Sequence, residues 1–400
     1  MAWVERVGRN TWRVRYWKDD GTLGSIRGFT NKIEAEHKAE DMEADQRDGS
    51  FIDPAHGRTS LQAWVEEWLP ALDVDPRTED NYRSALRRHI LPRWGTTALL
   101  DISSIRIAAW QKDLSRRLAP ATVSAIMKLF RMVIADAVAE RLIPYNPVQT
   151  HRRGRSARTP RPIEQIWATH EEVLRIADQV AAYYHPCGAM LLLTAAWTGA
   201  RWGELTGLHR NNLHLDDGVV IIDPDLGALH ERSSGQQWLG QPKTSTSART
   251  INLPPFLIPL LHRHLHTVDS EHVFVTPDGH WHRRSNFARR AFRPAADGNT
   301  HLWNDLTARQ RRVTVATEPV KPGLTFHGLR HSHKTWMIAD GVPEIAQSKR
   351  LGHTLHDKIQ QTYSHVAVEV EHRLLDGLQD RWDKAVANSS TPPALASYRL

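Results

Sequence analysis

Apolar and polar residues alternate along Thr11-Trp12-Arg13-Val14-Arg15-Tyr16-Trp17, a period of two that predicts a strand with one buried and one wet face. Asp19-Asp20-Gly21 follows as a hairpin turn signal, and Gly24-Ser25-Ile26-Arg27-Gly28-Phe29 is the returning strand. The period then changes. Asn31 caps a helix that carries Ile33, Ala35, Ala39 and Met42 and ends near Asp48-Gly49. Residues 1–57 thus read as a small β-sheet domain with a helix. From 58 to 150 the pattern is helical: Leu61, Trp64, Val65, Trp68 and Leu69 recur at i, i+3, i+4, i+7 and i+8. Thr78–Ile90, a stretch from Ile105, and 121–142 give further helices of a compact bundle, with Trp64 and Trp68 in its core. Pro144-Tyr145-Asn146-Pro147 stops it, because each proline disfavours helix in the residue before.

After a linker at 151–162, residues 163–385 form a third domain. Thr169 three residues before Glu172 resembles a capping box. An apolar helix spans about 187–197, is broken at Thr198-Gly199, and is followed by another from Arg201. Residues 219–223 and 248–253 read as antiparallel strands with the Lys243 loop between them, and 273–275 as a further short strand. From His327 to Trp382 the pattern is helical, and 386–400 reads as a loose, flexible tail. The expected fold class is multidomain α+β, with a β-sheet domain, a helical bundle and a mixed, mainly α domain.

At 400 residues there is length for two or three separate cores. The single cysteine, Cys187, excludes an intramolecular disulfide and a Cys-based zinc site, and its apolar run is too short to span a bilayer. It is expected to be a small buried hydrophobe. No apolar signal segment follows Met1, so a cytoplasmic protein without a membrane partner is expected. The net charge of +7 points to a polyanion. Cations are clustered: Arg13, Arg15 and Arg27 face outward from the sheet, Arg83 and Arg87 stand on the second helix, and the linker carries Arg152, Arg153 and Arg155 with no acid. Each cluster reads either as a nucleic-acid contact or as a solvated charged face.

The candidate chemistry lies downstream. Arg201 and Glu204 are i, i+3 neighbours behind Gly199, so the carboxylate can hold the guanidinium in a fixed pose; alone, such a pair is usually a surface salt bridge. His327 and Arg330 repeat that spacing, and Arg offers a planar fork for phosphate oxygens. His327 and His331 have metal-ligand spacing, but the His-Glu-x-x-His order is missing. Lys243, on a hairpin with Thr244 to Ser247 and the candidate DNA contact Arg249 around it, could give a proton to a departing oxygen. His353 could reach a non-bridging phosphate oxygen, and Tyr363 could attack the phosphorus: a phenol is a poor nucleophile at neutral pH but a good leaving group in reverse. Fixed cations would meet the developing charge with no metal.

Arg201, Lys243, His327-x-x-Arg330, His353 and Tyr363, in this order, resemble the hallmark set of a tyrosine recombinase of the phage-integrase family. The resemblance spans nearly the whole chain. It implies an arm-type DNA-binding domain at 1–57, a core-binding domain at 58–150 and a catalytic domain at 163–385. By resemblance, Arg201 and Arg330 clamp the scissile phosphate, Lys243 is the general acid and His327 assists proton transfer. His353 hydrogen-bonds the phosphate, Tyr363 forms a 3′-phosphotyrosyl link, and Glu204 orients the site. No metal or nucleotide cofactor is implied. The implied partners are double-stranded DNA at specific attachment sites, a homotetramer on that DNA, and accessory bending or directionality proteins. The residue after the first His is often Asp in relatives and is Gly328 here, so the contact made from that position is absent or replaced. A non-cleaving DNA-binding regulator, a type IB topoisomerase and a metal-dependent hydrolase are the rival readings.

Overall fold

The computed structural model describes residues 2–18, 21–48, 51, 53, 56–148, 164–300, 307, 315–353 and 365–389. The chain divides into two compact units, Met1–Thr159 and Pro160–Leu400.

The first unit holds two separate cores. Strands β1 (Ala2–Gly8), β2 (Thr11–Trp17) and β3 (Leu23–Phe29) form an antiparallel sheet in which Val14 faces Val4 on one side and Ile26 on the other. Val14 and Tyr16 are buried with Ala35, Ala39 and Met42 of helix α1 (Lys32–Arg47), which Asn31 caps as expected. The period of two then turns Arg13 and Arg15 to the opposite face, where both meet Glu5, at 2.7 and 3.3 Å. Arg27 lies opposite Arg13 and is exposed. Asp19 and Asp20 of the expected turn lie outside the described residues.

The second core belongs to α2 (Leu61–Trp68), α3 (Pro76–Ala85), a π turn (Leu86–Ile90) leading into α4 (Leu91–Trp94), α5 (Ser104–Arg117) and α6 (Pro120–Ala139). Trp64 and Trp68 are buried in it, their indole N–H groups donating to the Val133 carbonyl at 2.9 Å and to Asp136 at 2.6 Å. Burying a Trp without such a partner would strand its donor. The basic linker lies outside the described residues.

In the second unit α7 (His170–Tyr183) opens on a complete Thr169/Glu172 capping box. Helix α8 (Pro186–Thr198) is apolar on every side because it is central: Cys187 to Thr198 are all buried. The short α9 (Trp202–Thr206) follows. Strands β4 (Leu213–His214), β5 (Val219–Ile222) and β8 (Arg249–Asn252) form an antiparallel sheet, and the hairpin of β6 (Ala228–Glu231) and β7 (Gln237–Gly240) is inserted before β8. Lys243 thus follows a hairpin that sequence alone had not resolved. Helices α10 (Leu257–Thr267), α11 (Arg284–Phe287) and α12 (Arg293–Asp297) come next. Residues 273–275, expected as a strand, make only single bridges nearby, His209 with His272 and Val275 with Trp281. Side chains take the place of a ladder there. The Val273 carbonyl lies 2.8 Å from His264 Nε2, and the Val275 carbonyl accepts from the buried Cys187 thiol.

The chain ends with α13 (Phe326–Ala339), α14 (Glu344–Leu351) and α15 (Val368–Ala387). Helix α15 runs two residues past the expected start of the tail, whose part from 390 lies outside the described residues. Among the described residues no helix is long and apolar enough to cross a membrane.

Candidate active site

Helix α8 stops because Gly199 adopts a left-handed conformation, φ 67°, which a side chain would resist. Arg201 then caps α9. Its backbone N–H donates to Glu204 at 2.9 Å, and its guanidinium donates to the same carboxylate at 2.7 Å. Glu204 is 2 % exposed and is gripped from the other side by Arg249, at 3.2 and 3.0 Å. Burial works against the Glu204 carboxylate, but Arg249 and then Arg201 outweigh it and hold its pKa below the usual range.

The C-terminus of α14 collects the arginines. The carbonyl of Arg350 accepts from Arg249 at 2.7 Å, that of Leu351 from Arg330, and that of Gly352 from Arg201 at 3.1 Å. Arg330 also donates to the Gly199 carbonyl at 2.6 Å. Three guanidiniums therefore converge with one buried carboxylate among them. Unopposed carbonyls at a helix C-terminus attract cations, which makes this end a natural seat. Burial, then Arg201 and Arg249, lower the pKa of Arg330.

His327 stands in the first turn of α13, where the Thr325 hydroxyl accepts from the Gly328 N–H at 3.1 Å. The His331 ring meets it edge-on, with centroids 5.0 Å apart. Partial burial, then His331 and Arg330, push the His327 pKa down to about 4. His353 follows the left-handed Gly352, and burial, then Arg330 and Arg201, push it down to about 4 as well. Both imidazoles are neutral at pH 7. Lys243 is exposed, and the loop it starts is tied to the site: the Thr244 and Ser247 hydroxyls lie 2.8 Å apart, and Ser247 accepts from Arg201 at 2.9 Å. Among the described residues no three His, Cys, Asp or Glu side chains are placed to hold a metal ion.

The model of the phage integrase family matches residues 166–369, just over half of the chain, and that of the phage integrase N-terminal SAM-like domain matches residues 60–115. The chain belongs to the phage integrase family. It is 27% identical to the putative prophage phiRv2 integrase of Mycobacterium tuberculosis over 361 residues, 88% of each chain. It is 23% identical to the tyrosine recombinase XerA of Thermococcus kodakarensis, covering 77% of this chain and 92% of that one. In fold it is similar to lambda integrase, solved as a tetramer bound to a Holliday junction, with TM-score 0.52 and 17% identity over 91% of this chain and 100% of that one. The protein is a tyrosine site-specific recombinase.

Against that family pattern, Arg201, Glu204, His327, Arg330 and His353 of this integrase-family chain lie in one cluster. Tyr363, Arg152, Arg153 and Arg155 lie outside the described residues. Arg249, read from sequence as a DNA contact, is otherwise engaged: its side chain is 7% exposed and forks onto Glu204. Arg83 is paired with Glu79 at 2.7 Å on the surface of α3, and Arg87 is exposed. At Gly328 a Cβ would stand 2.8 Å from Leu324 Cδ1 and 3.1 Å from the Ile166 carbonyl, so the chain entering α7 occupies the space of a side chain there. Sequence reasoning missed Ser247, the Gly199 carbonyl and the Arg350–His333 contact. None carries a spacing signal.

Proposed function

We propose that the protein cleaves and rejoins DNA strands at specific attachment sites through a 3′-phosphotyrosyl intermediate on Tyr363, without metal or nucleotide cofactor. The observation that carries this reading is the meeting of Arg201, Arg249 and Arg330 at the end of α14: Arg201 and Arg249 share the Glu204 carboxylate, while Arg330 is held by the Gly199 and Leu351 carbonyls, so positive charge is left over for an anion. In the reaction, Arg201 and Arg330 hold the non-bridging oxygens and oppose the charge that builds on the pentavalent phosphorus. Glu204, and Arg249 through it, keep Arg201 in place. The Tyr363 oxygen bonds to phosphorus as the bond to the 5′-oxygen breaks. Lys243 delivers a proton to that oxygen. His327, neutral at pH 7, assists removal of the phenol's proton, and His353 donates a hydrogen bond to the phosphate. Reversal needs only another strand's 5′-hydroxyl, because phenolate is a good leaving group. Duplex DNA is the partner, and assembly as a homotetramer on DNA, with accessory bending or directionality proteins, completes the reading.

The test is covalent capture on a nicked duplex whose core sequence is selected from a random pool for binding to the full chain. The protein should become attached to the 3′-phosphate, with the adduct mapped to Tyr363 by mass spectrometry. Tyr363→Phe should bind the duplex and capture none of it. Capture by that variant would overturn the assignment.

A further inference from the structure

Arg350 directs its guanidinium into the protein interior and, among the described residues, makes no bond to Glu204. It is 6% exposed, and its guanidinium donates to three different elements: His333 Nε2 on α13 at 2.9 Å, the Asn252 carbonyl at the end of β8 at 3.1 Å, and the Trp197 carbonyl of α8 at 3.1 Å. Each of those elements carries part of the clamp. Helix α8 leads through Gly199 to Arg201, β8 begins with Arg249, and α13 bears His327 and Arg330. The backbone around Arg350 supplies the three carbonyls that receive those arginines.

His333 completes the arrangement. It is fully buried; its Nε2 accepts from Arg350, so the ring proton sits on Nδ1 and donates to the Ala196 carbonyl at 2.9 Å. The ring lies directly under Gly199, where a Cβ would come within 2.7 Å of Cδ2. A buried guanidinium whose hydrogen bonds all go to neutral groups, with burial outweighing the pull of the Glu371 carboxylate, is a poor way to gain stability, since an apolar residue of similar volume would avoid the desolvation. Its rigid fork, however, fixes three directions at once.

We propose that Arg350 and His333 form a positioning pair that sets the spacing of the phosphate clamp. The inference rests on the function proposed above, in which that clamp holds a phosphodiester. Arg350→Met keeps the volume and removes every donor; His333→Gln keeps an acceptor toward Arg350, and His333→Leu does not. Each full-length variant is compared with the wild type for thermal midpoint, affinity for the uncut selected duplex, and single-turnover rate of covalent capture on its nicked form. Affinity should stay near wild type, because phosphate contacts across the whole interface set it. Capture by Arg350→Met should slow by about 10²-fold, as expected when a reacting group is misplaced by about an ångström. His333→Gln should retain most of the rate that His333→Leu loses.

Wild-type capture by a folded Arg350→Met would overturn the proposal. So would a rate loss that disappears on cooling to equal folded fraction, since that would make the role merely structural. Should Arg350→Met not fold, equal rates in His333→Gln and His333→Leu would overturn it instead. Failure of the wild type itself to capture DNA would count against the proposed chemistry, not against the pair. In that event tungstate, a tetrahedral oxyanion, is titrated calorimetrically, and equal binding by wild type and Arg350→Met would sink the pair.

Discussion

His327 and His353 are partly buried beside the clamp guanidiniums, and that setting has a measurable consequence. In an unfolded chain a histidine titrates near about 6.5; here both are held down to about 4. Between those values the unfolded chain binds more protons than the folded one, so stability falls as pH drops through that window and levels off below it. Above it the two imidazoles are neutral in both states and contribute nothing. The thermal midpoint of the free protein should therefore fall from pH 7 to pH 5. It should fall less in His327→Gln/His353→Gln, although buried His264, His282 and His333, whose pKa values burial also lowers, keep part of the slope. Identical slopes in the two proteins, by scanning calorimetry, would show that neither burial nor the clamp cations hold these rings down. At this scale the sequence was partly legible. Arg201 and Glu204, three residues apart across the start of α9, form the ion pair their spacing suggests, and His327 and Arg330 share the start of α13. The Arg249–Glu204 ion pair spans 45 residues and the Arg350–His333 contact 17, so no local period announces either.

Among the elements, α14 is short, only Glu344–Leu351, and its last turn does more for the site than its length suggests. It ends at Gly352 with φ 63°, a conformation that costs an L-residue about 1–2 kcal/mol. A Cβ there would also stand 2.9 Å from the Thr246 carbonyl and 3.0 Å from Arg249 Nη1. Gly341, with φ 69° and nothing within 4 Å of a Cβ, has the strain without the collision. Gly341→Ala should lose roughly 1 kcal/mol in urea unfolding and keep its capture rate. Gly352→Ala should lose more stability, and capture with it, because Arg249 and the three carbonyls must shift. Equal behaviour of the two variants would mean that the end of α14 tolerates displacement. Helix stops such as Gly199, and caps such as Thr169 and Asn31, were legible because each is a local chemical event. Strands β6 and β7 have four residues each, as β5 and β8 do, but neither carries a β-branched residue to mark it, whereas Val273–Val275 reads as a strand because it is apolar and β-branched. Its carbonyls pair with His264 and Cys187 side chains, which a pattern of residue types does not encode.

Over the whole molecule, the change of period from two to helical separates the residues of the sheet's core from those of the bundle's, whose buried residues run on through Ile143 to Val148, past the prolines at 144 and 147. The sheet and the bundle do keep separate cores within one unit. Charge is distributed differently from the core residues. The open face of the sheet carries Arg13, Arg15 and Arg27, but Glu5 sits 2.7 and 3.3 Å from the first two. Those two must exchange a carboxylate for a phosphate if they grip DNA, whereas exposed Arg27 exchanges only water and ions. Each phosphate contact adds about 0.9 to the slope of log affinity against log salt. Replacing all three arginines by Gln in the full chain should therefore flatten that slope by between about 1 and 3, the lower figure applying if Glu5 keeps its partners. The measurement needs duplex long enough to offer sites beyond the core, since a short core duplex would leave the sheet idle. A slope that does not change on the long duplex would remove the sheet from the interface and leave the net charge of +7 to act through the rest of the chain.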